Sequence, residues 1–254
     1  MPRPPWPFSA AVPLALALIL AGCGPAPQDA GAGGGTVTVF AAASLTETFT
    51  ELGKRYQAAR PGTEVRFNFG SSATLARQLV QGAPADVFAA AGPAPLDQVV
   101  QAGLAREPVV FARNRLRIAV PKGNPARVDD LADLADPRVK VALCAPQVPC
   151  GTAAAAALDA AGLKVTPVTL EQDVKATLTK VRLGEVDAAL VYATDVRAAG
   201  DAVVGVPFPE AERAVNDYPI AALTEAGRGF VDLVLGPAGR AVLTEAGFAE
   251  PAAG

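Results

Sequence analysis

The chain of 254 residues contains no histidine. That absence removes the usual general base, the usual triad member and the commonest metal ligand. No G-x-S-x-G elbow occurs either, which with the missing histidine argues against a serine hydrolase. Positive charge is also in short supply. Lys and Arg number 22 against 25 Asp and Glu, a formal net charge of −3, so nothing points to a nucleic-acid binder. Tryptophan occurs once, as Trp6. What is present is apolar: hydrophobic residues make up 51% of the chain, ample for a sizeable core in one large domain or two smaller ones.

The N-terminal stretch "MPRPPWPFSAAVPLALALILAGCG" carries Arg3, an apolar core over 10–21 and then small residues. That core is too short for a membrane span, which needs ~20 residues, and it reads as a secretory signal over 1–22. Its ending, Leu20-Ala21-Gly22-Cys23, resembles the lipobox of bacterial lipoproteins, and this resemblance implies lipidation of Cys23 as the first mature residue. The competing reading is an ordinary signal peptide with a chance cysteine. Cleavage there removes Arg3 and no acid, which takes Lys plus Arg from 22 to 21 against 25 acids and the net charge from −3 to −4. The following "GPAPQDAGAGGG" reads as a flexible tether, so that 23–35 links lipid and domain.

Two cysteines then remain, Cys144 and Cys150, in "LCAPQVPCG". An exported chain meets an oxidising compartment, where such a pair usually bonds. The loop is short, so the chain-entropy model gives roughly 2 kcal/mol. Two free thiols are the alternative. A catalytic cysteine is disfavoured because no histidine is present to activate it.

From residue 36 onward, β-type runs alternate with amphipathic stretches. Strands are expected over 36–40, 64–69 and 86–91, and helices over 44–59, 73–81 and 94–103. This βαβαβα order implies a parallel sheet with helices packed on it. The pattern restarts with strands at 116–121, 140–144 and 186–192 and helices at 152–162 and 173–184, and it closes with helical pieces at 228–236 and 238–248. Each half is about the size of a small domain. Ligands in open α/β sheets sit outside the carboxyl ends of strands, so the cleft between two such halves is the expected site.

Four strand-to-helix junctions could carry chemistry. Ser44-Leu45-Thr46-Glu47 fits the capping box S-x-x-E, in which Ser44 caps the helix and Glu47 bonds back to its amide. The same junction presents free N–H groups and a positive dipole end, which suit an anion. In "FNFGSSATLARQ", Gly70 permits a tight turn and either Ser71 or Ser72 could cap the next helix. In "VPCGTAAAAA", Pro149 and Gly151 break the chain before an Ala-rich helix. In "TLEQDVKATLTK", Glu171 and Asp173 enter a helix as capping acids, and Val174 could serve a polar ligand only through its backbone N–H. Tyr192, ending "DAALVY", either packs or donates one hydrogen bond into the cleft. Together these junctions supply hydroxyls and amides with no cluster of Arg or Lys. That chemistry suits a dehydrated oxyanion held by neutral donors, because a fully ionised oxyanion only accepts hydrogen bonds.

The segments "VTVFAAASLTETF", "FGSSATLARQLVQGAPADVFAAA", "LEQDVKATLTKVRLGEVDAALVYATDV" and "VNDYPIA" resemble the periplasmic molybdate-binding proteins of ABC importers, over 36–248. The resemblance implies an α/β, two-domain type II periplasmic-binding fold, with mostly parallel sheets flanked by helices and a ligand cleft between domains. Domain I would be 36–115 plus 217–254, and domain II 116–216, joined by two crossovers. The implied ligands are molybdate or tungstate, held by Ser44 and Ser72 through hydroxyl and amide, by the amides of Cys150 and Val174, and by the Tyr192 hydroxyl. Cys150 departs from the pattern, since better-known members carry Ala there. The resemblance further implies no enzyme activity, no cofactor and no nucleic-acid partner. It implies a monomer outside the cytoplasm, lipid-anchored and facing the periplasm or the cell exterior, that delivers its ion to a membrane permease. Sulfate as the ligand, a serine hydrolase without the usual base, and a purely structural surface lipoprotein are the competing readings.

Overall fold

The first strand shows how the sequence builds the first layer of the structure. In the computed structural model, which describes residues 35–252, β1 (Thr36–Ala42) buries Val37, Val39 and Ala41 on one face. Phe40 faces the other way, into a separate apolar cluster. This period of two means that helices must cover both faces of the sheet. The expected signal segment 1–22, the lipidated Cys23 and the tether as far as residue 34 lie outside the described residues.

After β1 the chain makes a 3-10 turn (Ala43–Leu45) and continues as α1 (Thr46–Ala59), β2 (Glu64–Gly70), α2 (Ser72–Val80), β3 (Val87–Ala89), α3 (Pro93–Gln101) and β4 (Val109–Asn114). A second series follows: β5 (Leu116–Pro121), β6 (Val141–Cys144), α4 (Pro149–Ala161), β7 (Thr169–Glu171), α5 (Val174–Arg182), β8 (Ala188–Tyr192), α6 (Ala193–Ala199) and β9 (Val203–Val206). The chain then returns through β10 (Asn216–Ala222) and ends in α7 (Glu225–Leu235) and α8 (Pro237–Glu245).

The strands form two five-stranded sheets, in the orders β2-β1-β3-β10-β4 and β7-β6-β8-β5-β9. Both are mixed rather than mostly parallel. In the first, β1 pairs in parallel with β2 and β3, while β10 runs antiparallel to β3 and β4. In the second, β6 pairs in parallel with β7 and β8, while β5 runs antiparallel to β8 and β9. The reason is the crossover. β4 passes directly into β5 through Arg115, so the chain enters the second sheet without a helical connection, and β10 comes back beside β4. Only the strands joined by β-α-β connections are held parallel.

Each sheet has its own core. In the first lobe, α1, α7 and α8 cover one face and α2 with α3 the other. The apolar side chains of the second lobe form one cluster, from Leu116 on β5 to Ala214 just before β10, which Ala43 and Ala73 of the first lobe join. The lobes pack into one compact unit. Among the described residues, no helix is long and apolar enough to cross a membrane.

Phe230 on α7 anchors the first lobe. It is fully buried, and its ring lies 5.7 Å from that of Phe49, 5.6 Å from Tyr56 and 6.0 Å from Phe67, in edge-to-face arrangements. Phe230→Ala is expected to lower unfolding stability by about 3–5 kcal/mol, measured by urea denaturation. A loss below 1 kcal/mol would show that the first lobe does not depend on this ring.

Candidate functional site

Each of the four junctions leaves backbone donors free for a physical reason. The first N–H groups of a helix have no intrahelical acceptor. Pro149 occupies the first position of α4 and has no N–H, so Cys150 is the first residue of that helix able to donate. The next amides, of Gly151 and Thr152, already bond the Val148 carbonyl. At α5 the Asp173 carboxylate caps the amides of Lys175 and Ala176, each at 2.9 Å, and leaves that of Val174. At α2 the Ser71 carbonyl accepts from Thr74 and Leu75, and Ser72 is the first helical residue.

These junctions meet. Ser44, Ser72, Cys150, Val174 and Tyr192 all line one small cavity of about 20 Å³, together with Ala42, Ala43, Ser71, Asp173 and a few neighbours. The free volume accommodates one compact group. A far larger cavity, about 540 Å³, lies between the turn after α3 and α7 and contains none of these five residues.

The hydroxyls have defined partners. Ser72 Oγ accepts from the Ala91 amide at 2.9 Å. The Tyr192 hydroxyl accepts from Asn216 Nδ2 at 2.8 Å. Ser44 Oγ and the Tyr218 hydroxyl are 2.9 Å apart, and either can donate. Burial, and after it the neighbouring Asp195 carboxyl, pushes the Tyr192 phenol far above its usual range. Burial and then Tyr192 do the same to Tyr218. Both therefore keep their protons. No Lys or Arg lines the cavity.

The capping-box expectation for Ser44 is corrected. Ser44 sits in the 3-10 turn, α1 begins only at Thr46, and no side chain caps that helix. Thr46 Oγ1 instead donates to the Ala43 carbonyl at 2.6 Å. Glu47 does not fold back, because both of its carboxylate oxygens lie 2.8 Å from Lys175 Nζ on α5. A full charge on the opposite lobe outcompetes a neutral amide in the same turn. Lys175 also lies 3.1 Å from Asp195 Oδ1, and Asp195 Oδ2 accepts from the Tyr192 amide at 3.2 Å. Glu47, Lys175 and Asp195 thus stand three, one and three residues beyond Ser44, Val174 and Tyr192. Burial works against the charge on Lys175, but the carboxylates of Asp195 and Glu47 override it and raise its pKa.

The fourth wall is fixed covalently. A disulfide joins Cys144, at the end of β6, to Cys150. Gly151 is required beside it, since a Cβ there would fall 1.9 Å from the Ala145 carbonyl oxygen. Sequence reasoning gave Ser71 only a possible capping role, which its side chain does not fill, and assigned none to Asn216 or Tyr218; all three line or brace the cavity. The only sequence signal for the last two was their place in "VNDYPIA".

Comparison with known proteins agrees in one direction. The family model described as bacterial extracellular solute-binding protein matches residues 37–249. The molybdate-binding protein ModA of Mycobacterium tuberculosis is 44% identical over 218 residues, which cover 84% of each chain. ModA of Escherichia coli is 29% identical over 227 residues, covering 82% of this chain and 87% of that one. Among solved structures, the periplasmic molybdate-binding protein of Azotobacter vinelandii superposes with a TM-score of 0.73 at 21% identity, covering 85% of this chain and 99% of that one. The sulfate-binding protein SubI of M. tuberculosis does so with a TM-score of 0.74 at 18% identity, covering 85% and 87%. At these identities the two structures establish a shared fold only.

Asp195 yields a pH prediction. Burial pushes its carboxyl up to about 6, against the opposing pull of Lys175 and the Tyr192 amide. An acid whose folded pKa exceeds its unfolded value binds its proton first in the folded state. Its contribution to stability is therefore full below about pH 4 and is lost as pH rises through about 6. The stability of the native protein minus that of Asp195→Asn is expected to fall by up to roughly 3 kcal/mol between pH 4 and pH 7, measured by urea denaturation at each pH. A difference that rises over this range would reverse the assignment.

Proposed function

The chain belongs to the bacterial extracellular solute-binding proteins, and on that premise we propose that it captures molybdate, with tungstate as a second ligand, and delivers it to the permease of an ABC importer. The observation that carries this reading is the convergence of Ser44, Ser72, Cys150, Val174 and Tyr192 on one cavity without a cation. With Tyr218 donating to Ser44, all three hydroxyls accept from the protein and have a proton left for the ligand. The amides of Cys150 and Val174 and those of the two serines add further donors. A dianion with four bare oxygens matches such a site.

Selection follows from the same chemistry. Phosphate carries a proton near neutral pH, and a protonated oxygen would face a donor instead of an acceptor. Sulfate meets no such conflict and is discriminated by the size of the cavity. The two lobes close around the ion by hinge motion at the paired β4 and β10, and the Glu47–Lys175 ion pair forms across the closed mouth. The protein is not an enzyme in this reading. The nearest partner of Ser44 is a phenol and that of Ser72 is an amide, and neither is a base. It binds no nucleic acid and needs no cofactor. It works as an exported monomer, freed of its signal segment before Cys23 and held to the membrane by a lipid on that residue.

A melting series with molybdate, tungstate, sulfate and phosphate tests the reading. At ~1,000 times its dissociation constant, a ligand adds about 4 kcal/mol to stability, so molybdate and tungstate are expected to raise the melting temperature by several degrees and phosphate to leave it unchanged. A shift with sulfate and none with molybdate or tungstate would transfer the site to sulfate. No shift with any of the four would leave the structural surface lipoprotein. Ser44→Ala is expected to weaken molybdate binding by more than it lowers unliganded stability, as measured by calorimetry and melting on the same sample.

A further inference from the structure

Ser71 is the exception among the polar groups of the cavity. It is only 7% exposed and lines the same space as the five candidate residues. It stands at the N-cap of α2 with an extended backbone, the position where a serine side chain ordinarily accepts from the second or third helical amide. It makes no such bond, and its Oγ has no hydrogen-bond partner of any kind among the described residues. Buried hydroxyls are almost always partnered. An orphan hydroxyl on a residue that lines a cavity rich in donors, on a helix that leaves it uncapped, points to a group whose partner is the ligand.

We propose that Ser71 is a ligand-binding residue, donating its hydroxyl to the oxyanion beside Ser72. The inference rests on the oxyanion reading of the cavity and deepens it by one contact. The donors already assigned are two from Ser44, two from Ser72 and one each from Cys150, Val174 and Tyr192, seven in all. Ser71 makes the eighth, so that each oxygen of a tetrahedral ion can accept two hydrogen bonds. Ser71 also differs from the three other hydroxyls in kind. Ser72 and Tyr192 accept from Ala91 and Asn216, and Ser44 shares with Tyr218 a hydrogen bond in which either can donate, whereas Ser71 has no partner among the described residues. Its proton is therefore free to follow the ligand's oxygens as the site closes.

Ser71→Ala separates this role from a structural one. In the unliganded protein the substitution removes an unpartnered buried hydroxyl, so its melting temperature is expected to be unchanged or higher. Affinity for sodium molybdate, measured by titration calorimetry on the full chain, is expected to fall by roughly tenfold or more, the usual worth of a hydrogen bond to a charged group. Affinity within twofold of the native value would overturn the proposal. So would a loss of affinity that is matched by an equal loss of unliganded stability. If the native protein binds sulfate and not molybdate, the reading of the ion fails, and the same comparison made with sulfate still decides the role of Ser71.

Discussion

On the oxyanion reading the site depends on one constraint: every hydroxyl that is to donate inward has to be kept from donating elsewhere. A hydroxyl has one proton and two lone pairs. If a carbonyl behind the wall took the proton, the cavity would face an acceptor and repel an anion. The structure prevents this by placing donors behind the hydroxyls. The Ala91 amide stands behind Ser72, the Asn216 carboxamide behind Tyr192 and the Tyr218 phenol beside Ser44. Burial holds both phenols protonated. For Ser72 and Tyr192 the direction of the hydroxyl is thus set by a neighbouring N–H donor, and at Ser44 Tyr218 can play the same part.

The same arrangement ties the two lobes together. Asn216 begins the returning strand β10, and the hydroxyl it orients belongs to β8 in the second sheet. Asn114, at the end of β4, donates to Thr194 on α6 at 2.8 Å. Within the first sheet, Arg113 on β4 pairs with Asp217 on β10 at 3.0 Å and so holds the two crossing strands to each other. On the opposite side Glu47 meets Lys175. The strands that carry the chain between lobes therefore also supply a group that orients a cavity-lining side chain. A change in the angle between lobes would move Asn216 relative to Tyr192 and alter the donor set with it.

Local features of this design were legible in the sequence, and long-range ones were not. The junctions at Ser44, Ser72, Cys150 and Val174 announce themselves by a β-type run that ends in Ser, Gly, Pro or, before Val174, Asp ahead of a helical pattern. The S-x-x-E motif at Ser44 misled because a local pattern cannot register a lysine 128 residues away. Asn216 and Tyr218 act over separations of 24 and 174 residues, and no spacing rule reaches that far. Strand β10 escaped because Pro219 argues against a central strand. It is tolerated there at a break in register between Tyr218 and Pro219. The β-α-β order correctly implied parallel pairing within each series, but it could not show that strands arriving from the other lobe would enter antiparallel. Ser71 and Ser72 were indistinguishable as letters, and only the third dimension separates the serine that accepts from Ala91 from the one left without a partner.

The two sides of the cavity differ in how firmly they are held. On the second lobe, Pro149 leaves Cys150 as the first donor of α4, the disulfide ties that residue to the end of β6, and Gly151 sits against the Ala145 carbonyl with no room for a side chain. Three independent restraints converge on one amide. On the first lobe, Ser44 lies in an uncapped 3-10 turn, and Ser71 heads a helix that its side chain does not cap. A donor fixed in advance loses little entropy when it binds, whereas one that must be ordered gives up part of its interaction energy. On the oxyanion reading, the rigid wall therefore favours the first encounter with an ion. On the same reading, the first-lobe wall is the one that can adapt as a ligand binds, through Ser71, whose hydroxyl no group among the described residues holds.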